Sequence, residues 1–282
     1  RISQEDFFDS EIIKELKVRG SWGILGNDRV ANFQFFQLYN LIENSYIFGE
    51  NRVREIGLTP STTPNPNITW ETSEKYNLGI DFRLKNNLLS GSVDLFYENR
   101  SDILAPRNAS IPVFSGLDLP DENIGIVNNR GLELQLNHRG KIQKVNYTLG
   151  GQFTYARSEI EFIDEAANIP EWQRRTGKPV DFLLVHQADG IYQNQEEIDN
   201  SVHFPDAKPG DVRFTDQNGD GVIDQNDQII LKNSPTPRIV YGVNMGVEWN
   251  NLALDVLFQG QAQAQTIYRP FDLNQQSYLA LV

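Results

Sequence analysis

Apolar and polar residues alternate along several segments of this chain. The clearest apolar series are Leu78-Ile80-Phe82-Leu84, Leu132-Leu134-Leu136 and Tyr241-Val243-Met245-Val247-Trp249. A period of two places successive side chains on opposite faces of a strand, so these segments are predicted as β-strands with one apolar and one polar face. In a water-soluble sandwich the polar face is the outside, whereas in an outer-membrane barrel the apolar face meets lipid. Alternation alone leaves both architectures open.

The lengths of the connections favour the barrel. Short turns at Lys85-Asn86-Asn87, Arg139-Gly140-Lys141 and Asn250-Asn251 join the predicted strand pairs 76–84/92–98, 131–137/146–155 and 240–249/252–260, and the long connections are 26–67, 99–130 and 156–239. Tight turns on one side and long loops on the other are typical of bacterial outer-membrane barrels. A sandwich normally has compact connections at both ends. The predicted fold class is all-β: an antiparallel transmembrane β-barrel segment with short periplasmic turns and long extracellular loops.

This fold class assigns a direction to each face of the sheet. We expect the apolar series to form a band that faces lipid, because an Arg or Lys side chain at mid-depth on that face costs about 2–4 kcal/mol. The polar positions are expected to face a wet lumen; they are Asp81, Arg83, Asp94, Glu98, Glu133, Gln135, Asn244 and Glu248.

Composition excludes several other classes of function. The formal net charge of −13 argues against a nucleic-acid partner, whose phosphates require a basic surface. The absence of cysteine excludes disulfides, a thiol nucleophile and thiolate metal sites. His138, His186 and His203 are far apart in sequence and are predicted as surface or strand residues rather than metal ligands. The adjacent acids Glu196-Glu197 and Asp164-Glu165 are interpreted as surface acid, since neighbouring side chains on an extended chain point oppositely.

One loop has the ligand spacing of an EF-hand. With Asp216 as position 1, the oxygen-bearing residues at positions 3, 5, 9 and 12 are Asn218, Asp220, Asp224 and Asp227, Gly221 occupies the sharp turn at position 6, and Val222 offers its carbonyl at position 7. These residues are the candidate ligands of a structural Ca²⁺. Position 12 is Asp rather than Glu, so we expect modest affinity rather than a switch. The alternative is an Asx-rich turn that binds nothing.

Two other classes of protein share some of these features. A soluble, calcium-stabilised β-sandwich that acts as a binding or adhesion module would show the same alternation and the same loop. A glycoside hydrolase would need two carboxylates fixed at a defined separation in a groove, and no spacing in this sequence selects such a pair. An enzyme is therefore not predicted. The sandwich would require a second layer over each apolar face.

The order of several short motifs resembles a known family. The motifs are Leu16-Lys17-Val18-Arg19-Gly20-Ser21-Trp22-Gly23, Asn65-Pro66-Asn67-Ile68-Thr69-Trp70-Glu71-Thr72, Asn123-Ile124-Gly125-Ile126-Val127-Asn128-Asn129-Arg130-Gly131-Leu132-Glu133-Leu134, Asp189-Gly190-Ile191-Tyr192-Gln193, the loop from Pro209 to Asp227, and Leu257-Phe258-Gln259-Gly260. Each is weak alone, but together and in this order they resemble the SusC/RagA-like branch of TonB-dependent outer-membrane transporters of Bacteroidetes.

This resemblance implies a plugged barrel of about 22 strands in the Gram-negative outer membrane. It also implies a SusD-like surface lipoprotein as a lid, energy from periplasmic TonB, and import of glycan oligosaccharides or peptides. A TonB box and a plug before Arg1, and final strands after Val282, are expected in a longer transporter. Residues 1–282 are accordingly predicted as a partial TonB-dependent receptor β-barrel domain, in which 157–239 form a long extracellular loop region that carries the EF-hand-like loop 216–227.

Overall fold

A seven-stranded antiparallel sheet dominates the computed structural model, which describes residues 1–50, 53–61, 63–107, 119–268 and 280–281. Its strands, in spatial order, are β1 (Ile13–Asn27), β4 (Glu71–Leu84), β5 (Leu89–Pro106), β6 (Asp121–Ile142), β7 (Val145–Phe162), β12 (Ile239–Trp249) and β13 (Leu252–Ala262). Every neighbouring pair is antiparallel, and each strand lies beside the preceding member of the sheet. This up-and-down order is the one that the fold-class prediction required.

Smaller elements lie in the long connections. Eight short strands form four two-stranded sheets: β2 (Tyr39–Phe48) with β3 (Val53–Pro60), β8 (Leu184–His186) with β11 (Gln228–Ile230), β9 (Ala188–Ile191) with β10 (Val212–Phe214), and β14 (Ile267–Tyr268) with β15 (Ala280–Leu281). One short helix, α1, spans Gln195–Asp199, and short 3₁₀ turns span Ile2–Gln4, Lys85–Asn87, Glu171–Gln173 and Gln225–Asp227. Within the described residues no helix is long and apolar enough to cross a membrane.

The two ends of the main sheet differ as predicted. Short turns join β4 to β5, β6 to β7 and β12 to β13 at one end. Asn86, Gln143 and Asn250 have positive φ angles of 60°, 54° and 53° in these turns, a conformation that Asn tolerates better than most residues. The turn predicted at Arg139-Gly140-Lys141 was wrong, because the ladder between β6 and β7 continues to Ile142↔Val145. The turn residues are Gln143 and Lys144.

Several predicted strand boundaries were also wrong. β7 continues from the predicted limit 155 to Phe162, so the first residues of the predicted loop region 157–239 belong to the sheet. β5 and β6 continue past the predicted limits 98 and 131, and their ladder extends to Pro106↔Asp121. The connection between β5 and β6 is therefore shorter than the predicted 99–130, since it runs only from 107 to 120. Residues 108–118 of this connection lie outside the described residues. Backbone pairing continues after the apolar alternation has ended, and alternation was the signal that set the predicted limits. The connection 26–67 likewise contains the hairpin β2–β3, which the sequence interpretation did not anticipate.

The apolar faces of the sheet are not covered by a second layer in the described part of the chain. Leu78 is 51% exposed and Leu254 is 64% exposed. Register places Leu78 opposite Leu95, and Leu95 opposite Leu132, so one continuous apolar surface crosses the strands. The buried apolar side chains lie mostly in the long connection after β7, including Tyr192 and Ile198. This arrangement opposes the sandwich, which needs its core between two sheets.

We expect spin labels on the two faces to report different environments in the intact protein in lipid bilayers. The chain has no cysteine, so Leu78→Cys and Leu254→Cys can each be labelled singly, with Gln135→Cys as the matched position on the polar face. Power saturation should show that the labels at positions 78 and 254 are accessible to dissolved oxygen, and that the label at position 135 is accessible to a water-soluble nickel chelate. Equal nickel access at all three sites would mean that the apolar face does not contact lipid.

Candidate functional site

The polar face of the main sheet carries a connected charge network. Arg19 on β1 donates from Nε to Asp81 Oδ2 at 3.0 Å and from Nη2 to Asp81 Oδ1 at 2.9 Å. The same Nη2 donates to Asp94 Oδ2 on β5 at 2.8 Å. Asp94 lies opposite Glu133 on β6, a like-charge pair that destabilises a sheet unless a cation offsets it. Arg19 supplies that cation, and its hydrogen bonds join the three strands β1, β4 and β5.

Gly79 makes this network possible. It lies between Arg19 and Asp94 in the register. A Cβ atom at position 79 would lie 2.6 Å from Asp94 Oδ1 and 2.7 Å from Arg19 Cζ. A side chain here would therefore displace the Asp94 carboxylate or the Arg19 guanidinium. The sequence showed Arg19, Gly79 and Asp94 only as polar or small positions in an alternating pattern.

More ion pairs extend this network towards the loop end of the sheet. Lys75 Nζ lies 3.4 Å from Glu98 Oε1, and Ser73 donates its hydroxyl to the same carboxylate at 2.6 Å. Arg100 forms an ion pair with Glu71 one step further along. The inner wall on β1, β4 and β5 therefore carries nearly balanced charges that satisfy one another.

The other half of the polar face is richer in amides. Gln135 on β6 lies opposite Gln152 on β7, which lies opposite Gly242 on β12, which in turn lies opposite Gln259 on β13. A Cβ atom at position 242 would lie 2.9 Å from Gln152 Nε2, so the glycine leaves room for that amide. This half of the wall offers both hydrogen-bond donors and acceptors.

The connection from 163 to 238 folds around its own small core. Tyr192 is buried and donates its hydroxyl to the Val202 carbonyl at 3.2 Å. Asn194 caps α1 by accepting from Glu197 N at 2.9 Å, and Ile198 of this helix is fully buried. The rings of Phe204 and Phe214 meet edge to face at 5.7 Å. The predicted loop region is therefore an ordered unit rather than a long structureless excursion.

The EF-hand-like loop is closed by hydrogen bonds to its carboxylates. Asp216 accepts from Gly219 N at 2.7 Å and from Gly221 N at 2.9 Å. Gly221 has φ of +85°, which confirms the predicted turn at position 6. Asn218 accepts from Asp220 N at 3.0 Å, and Asp220 accepts from Val222 N at 2.9 Å. The flanking segments are extended, as expected, in β10 and β11.

Asp227 is the buried centre of this loop. Its side chain has 0% exposure, and it accepts from Gln217 N and Asp224 N, each at 2.8 Å. Burial raises the pKa of Asp227, but the backbone N–H donors of Asp224, Gln217 and Asn218 outweigh that effect, and the pKa lies below its usual value. The Asp227 carboxylate therefore stabilises the closed loop in its ionised form.

The geometry does not by itself assemble a cation site. Among the described residues, no three or more carboxylate or imidazole groups are gathered closely enough to hold a metal ion. Asp224 Oδ1 accepts from Asn226 N at 2.7 Å, and both Asp227 oxygens accept backbone N–H groups. Calcium ligation by Asp216, Asn218, Asp220, Val222, Asp224 and Asp227 stays a prediction, and so does the Asx-rich turn.

The histidines take part in local hydrogen bonds. His186 Nε2 donates to the Asp224 carbonyl at 2.8 Å, which ties the EF-hand-like loop to β8. His138 Nε2 lies 3.0 Å from the Tyr147 hydroxyl, and His203 Nδ1 donates to the Phe204 carbonyl at 2.8 Å. Sequence analysis missed the link through His186, because His186 and Asp224 are distant along the chain.

The acidic pairs have structural partners as well. Glu165 accepts from Arg175 N at 2.6 Å and from the Thr176 hydroxyl at 2.6 Å. Burial raises the pKa of Glu165, but the Thr176 hydroxyl and the backbone N–H groups of Arg175 and Thr176 lower it below the usual value. Glu197 accepts from Gln193 N at 3.0 Å. A general acid would need the opposite shift, so the geometry around Glu165 does not favour acid catalysis.

Comparison with known proteins gives a consistent result. Residues 12–256 match the family model described as TonB dependent receptor-like, beta-barrel. A TonB-dependent receptor of Formosa agariphila is 27% identical over 95% of this chain and 28% of its own length. The TonB-dependent receptor SusC of Bacteroides thetaiotaomicron is 25% identical over 89% of this chain and 25% of its own length. The chain thus spans about a quarter of the length of these relatives.

Solved structures agree on the fold. A structure of the RagAB peptide importer in its open-open state has a TM-score of 0.65 and 22% identity, and covers 94% of this chain and 28% of that chain. A structure of the RagAB peptide transporter has a TM-score of 0.63 and 23% identity, with the same coverage. These values are evidence for the barrel architecture alone.

We predict that acid opens the EF-hand-like loop. A carboxyl with a depressed pKa stabilises the folded state above its unfolded pKa of about 3.9, and that contribution is lost as pH falls through the folded pKa. Trp172 Nε1 donates to the Asn226 carbonyl at 3.0 Å, so it reports on this loop. With 5-fluorotryptophan incorporated, the Trp172 resonance should shift below about pH 4 while that of Trp249 does not. If the Trp172 resonance of Asp227→Asn shifts at the same pH, the transition does not come from protonation of Asp227.

We further predict that Ca²⁺ binds the EF-hand-like loop. Calorimetry of the intact protein should show heat of Ca²⁺ binding that Asp216→Ala/Asp220→Ala abolishes, because both carboxylates belong to the ligand spacing. Asp199→Ala/Asp206→Ala removes two acids from the same connection outside the motif and is the matched control. Equal heats from the wild type and the Asp216/Asp220 variant would identify an acidic turn without a metal.

Proposed function

Because this chain belongs to the TonB dependent receptor-like β-barrel family, we propose that it forms part of the wall of a transporter that imports large nutrients. The chain is an outer-membrane protein, as members of this family are. The proposed transporter is energised by periplasmic TonB through its plug segments. It pairs with a SusD-like surface lipoprotein, and its cargo is an oligosaccharide of glycan origin or a peptide.

The single observation that carries this proposal is the two-faced sheet. One face is apolar and exposed from Val18 on β1 to Phe258 on β13, as a lipid-facing wall must be. The other face bears the Arg19–Asp81–Asp94 network and the row of amides, as a wet lumen requires. A soluble protein with this sheet would expose its apolar face to water.

The amide-rich half of the wall suits a neutral polar cargo. Gln135, Gln152 and Gln259 lie on one register row and can both donate and accept hydrogen bonds. Sugar hydroxyls and peptide groups have the same dual capacity, so this surface fits either class of cargo. One of the structurally similar proteins is a peptide importer, and one relative in sequence is SusC.

The connection from 163 to 238 lies at the loop end of the sheet, which is the extracellular end in this fold class. We propose that this ordered unit shapes the surface that meets the lipoprotein lid. Its core around Tyr192 and Ile198 holds the surface in place. We propose that Ca²⁺ at the EF-hand-like loop has the structural role of neutralising Asp216, Asp220, Asp224 and Asp227.

An uptake experiment tests the proposal in cells that carry the intact transporter. We expect uptake of labelled oligosaccharide or peptide that disappears when TonB is removed. Gln135→Trp should lower uptake severalfold, because the large side chain projects into the lumen. Leu134→Trp, the adjacent residue on the lipid-facing side, is the matched control and should leave uptake within about twofold. We expect these different effects on uptake because adjacent side chains on a strand point to opposite faces of the sheet. Uptake that persists without TonB would contradict the proposal.

A further inference from the structure

The length of two strands locates the boundary of the lipid-facing band. β12 and β13 have 11 residues each, which is close to the span of about 9–11 residues that a tilted strand needs to cross the hydrocarbon. Ile239, the first residue of β12, lies opposite Tyr155, and Tyr155 lies opposite Leu132. Tyr155 and Leu132 therefore lie near the extracellular limit of the hydrocarbon.

Two arginines lie one step beyond this limit. Arg130 on β6 and Arg157 on β7 are directly opposite each other in the register. Arg130 is two residues from Leu132 on β6, and Arg157 is two residues from Tyr155 on β7. Each arginine therefore projects from the same side of the sheet as Leu132 and Tyr155, which is the lipid-facing side. Tyr97 on β5 completes this row opposite Arg130. The two guanidiniums thus project outward at the depth of the lipid headgroups.

Both arginines share one carboxylate within the described part of the chain. Arg130 Nη2 lies 3.3 Å from Glu159 Oε2, and Arg157 Nη2 lies 3.2 Å from the same oxygen. The side chains of the two arginines remain 53% and 34% exposed. Two positive charges thus meet one negative charge in this cluster, on a chain whose net charge is −13.

The hydrogen-bonding capacity of this patch is only partly used. Arg157 Nε is buried without a hydrogen-bond partner, and so are the Oδ1 atoms of Asn99 and Asn128. Asn99 lies opposite Asn128, and Asn128 lies opposite Glu159, so these atoms occupy the row next to the arginines. Buried polar groups without partners are uncommon in folded proteins. Here they belong to an outward-facing pair of cations or lie one row from it.

We propose that Arg130 and Arg157 bind the phosphate of a lipid headgroup in the outer leaflet. Guanidinium groups form bidentate, charge-assisted hydrogen bonds with phosphate oxygens. A free phosphate has the same chemistry, but the apolar surface of Leu132, Leu95 and Tyr155 directly below the arginines fits the acyl chains of a lipid. The inference rests on the membrane placement of the sheet and is independent of the imported cargo.

Binding measurements on the purified intact transporter in detergent test this assignment. The probes are a short-chain phosphatidic acid, phosphatidylcholine of the same chain length, and inorganic phosphate. We expect the wild type to prefer phosphatidic acid, and Arg130→Gln/Arg157→Gln to bind it about tenfold more weakly or worse, as the loss of charge-assisted hydrogen bonds predicts. Arg83→Gln/Arg139→Gln removes two arginines from the opposite face and should bind like the wild type.

Three results would overturn the proposal. The first is equal affinity of the wild type and the Arg130/Arg157 variant for phosphatidic acid. The second is equally tight binding of inorganic phosphate, which would assign the site to a free anion. The third result needs no variant. If added salt does not lower the affinity of the wild type for phosphatidic acid, ion pairing at an exposed site is excluded. Failure of TonB-dependent uptake, by contrast, would affect only the proposed cargo transport.

Discussion

Backbone hydrogen bonding in a medium without water is the constraint on which this structure depends. In hydrocarbon each unpaired N–H or C=O costs several kcal/mol, so spanning strands must pair on both sides. The strands β4, β5, β6, β7 and β12 satisfy this condition within the sheet. β1 and β13 pair on one side only within the described residues, so a closed barrel needs further strands. The chain covers about a quarter of the length of its matched relatives, which leaves room for them.

The same constraint explains how charge is distributed. Since the outer face must be apolar through the hydrocarbon, charged residues at mid-depth are confined to the lumen, where they lie on adjacent strands. Arg19 balances Asp81 and Asp94 there, and Gly79 leaves the space that its guanidinium needs. The ion pairs are partly exposed, and exposed pairs contribute only about 0–1 kcal/mol each to stability. Their stronger effect is to prevent repulsion between neighbouring carboxylates such as Asp94 and Glu133.

Beyond the hydrocarbon the chain follows the rules of a water-soluble protein. The connection from 163 to 238 buries Tyr192, Ile198, Ile223 and Leu231 in a core of its own. Asp227 is buried at its edge and draws the backbone N–H groups of the acidic loop inwards. His186 joins that loop to β8. The loop region can therefore present a defined surface even though most of its residues lie outside strands and helices.

The sequence by itself predicted the strands of the main sheet and the alternation of an apolar and a polar face along each of them. The connection lengths, and not the alternation, indicated that the apolar face meets lipid. Alternation at Leu78-Ile80-Phe82 and at Tyr241-Val243-Met245 is a local property, and burial in lipid on one side requires it. The sequence also predicted the short turns after β4 and β12 and the bend at Gly221, but it misplaced the turn after β6. Only the tertiary structure decided where β5 and β6 end, because cross-strand hydrogen bonds continue to Pro106↔Asp121 without an apolar pattern. Only strand register brought Arg19 to Asp94 and Arg130 to Arg157, since these contacts depend on pairing between residues far apart in the chain. Only the folding of the long connection brought His186 to the Asp224 carbonyl.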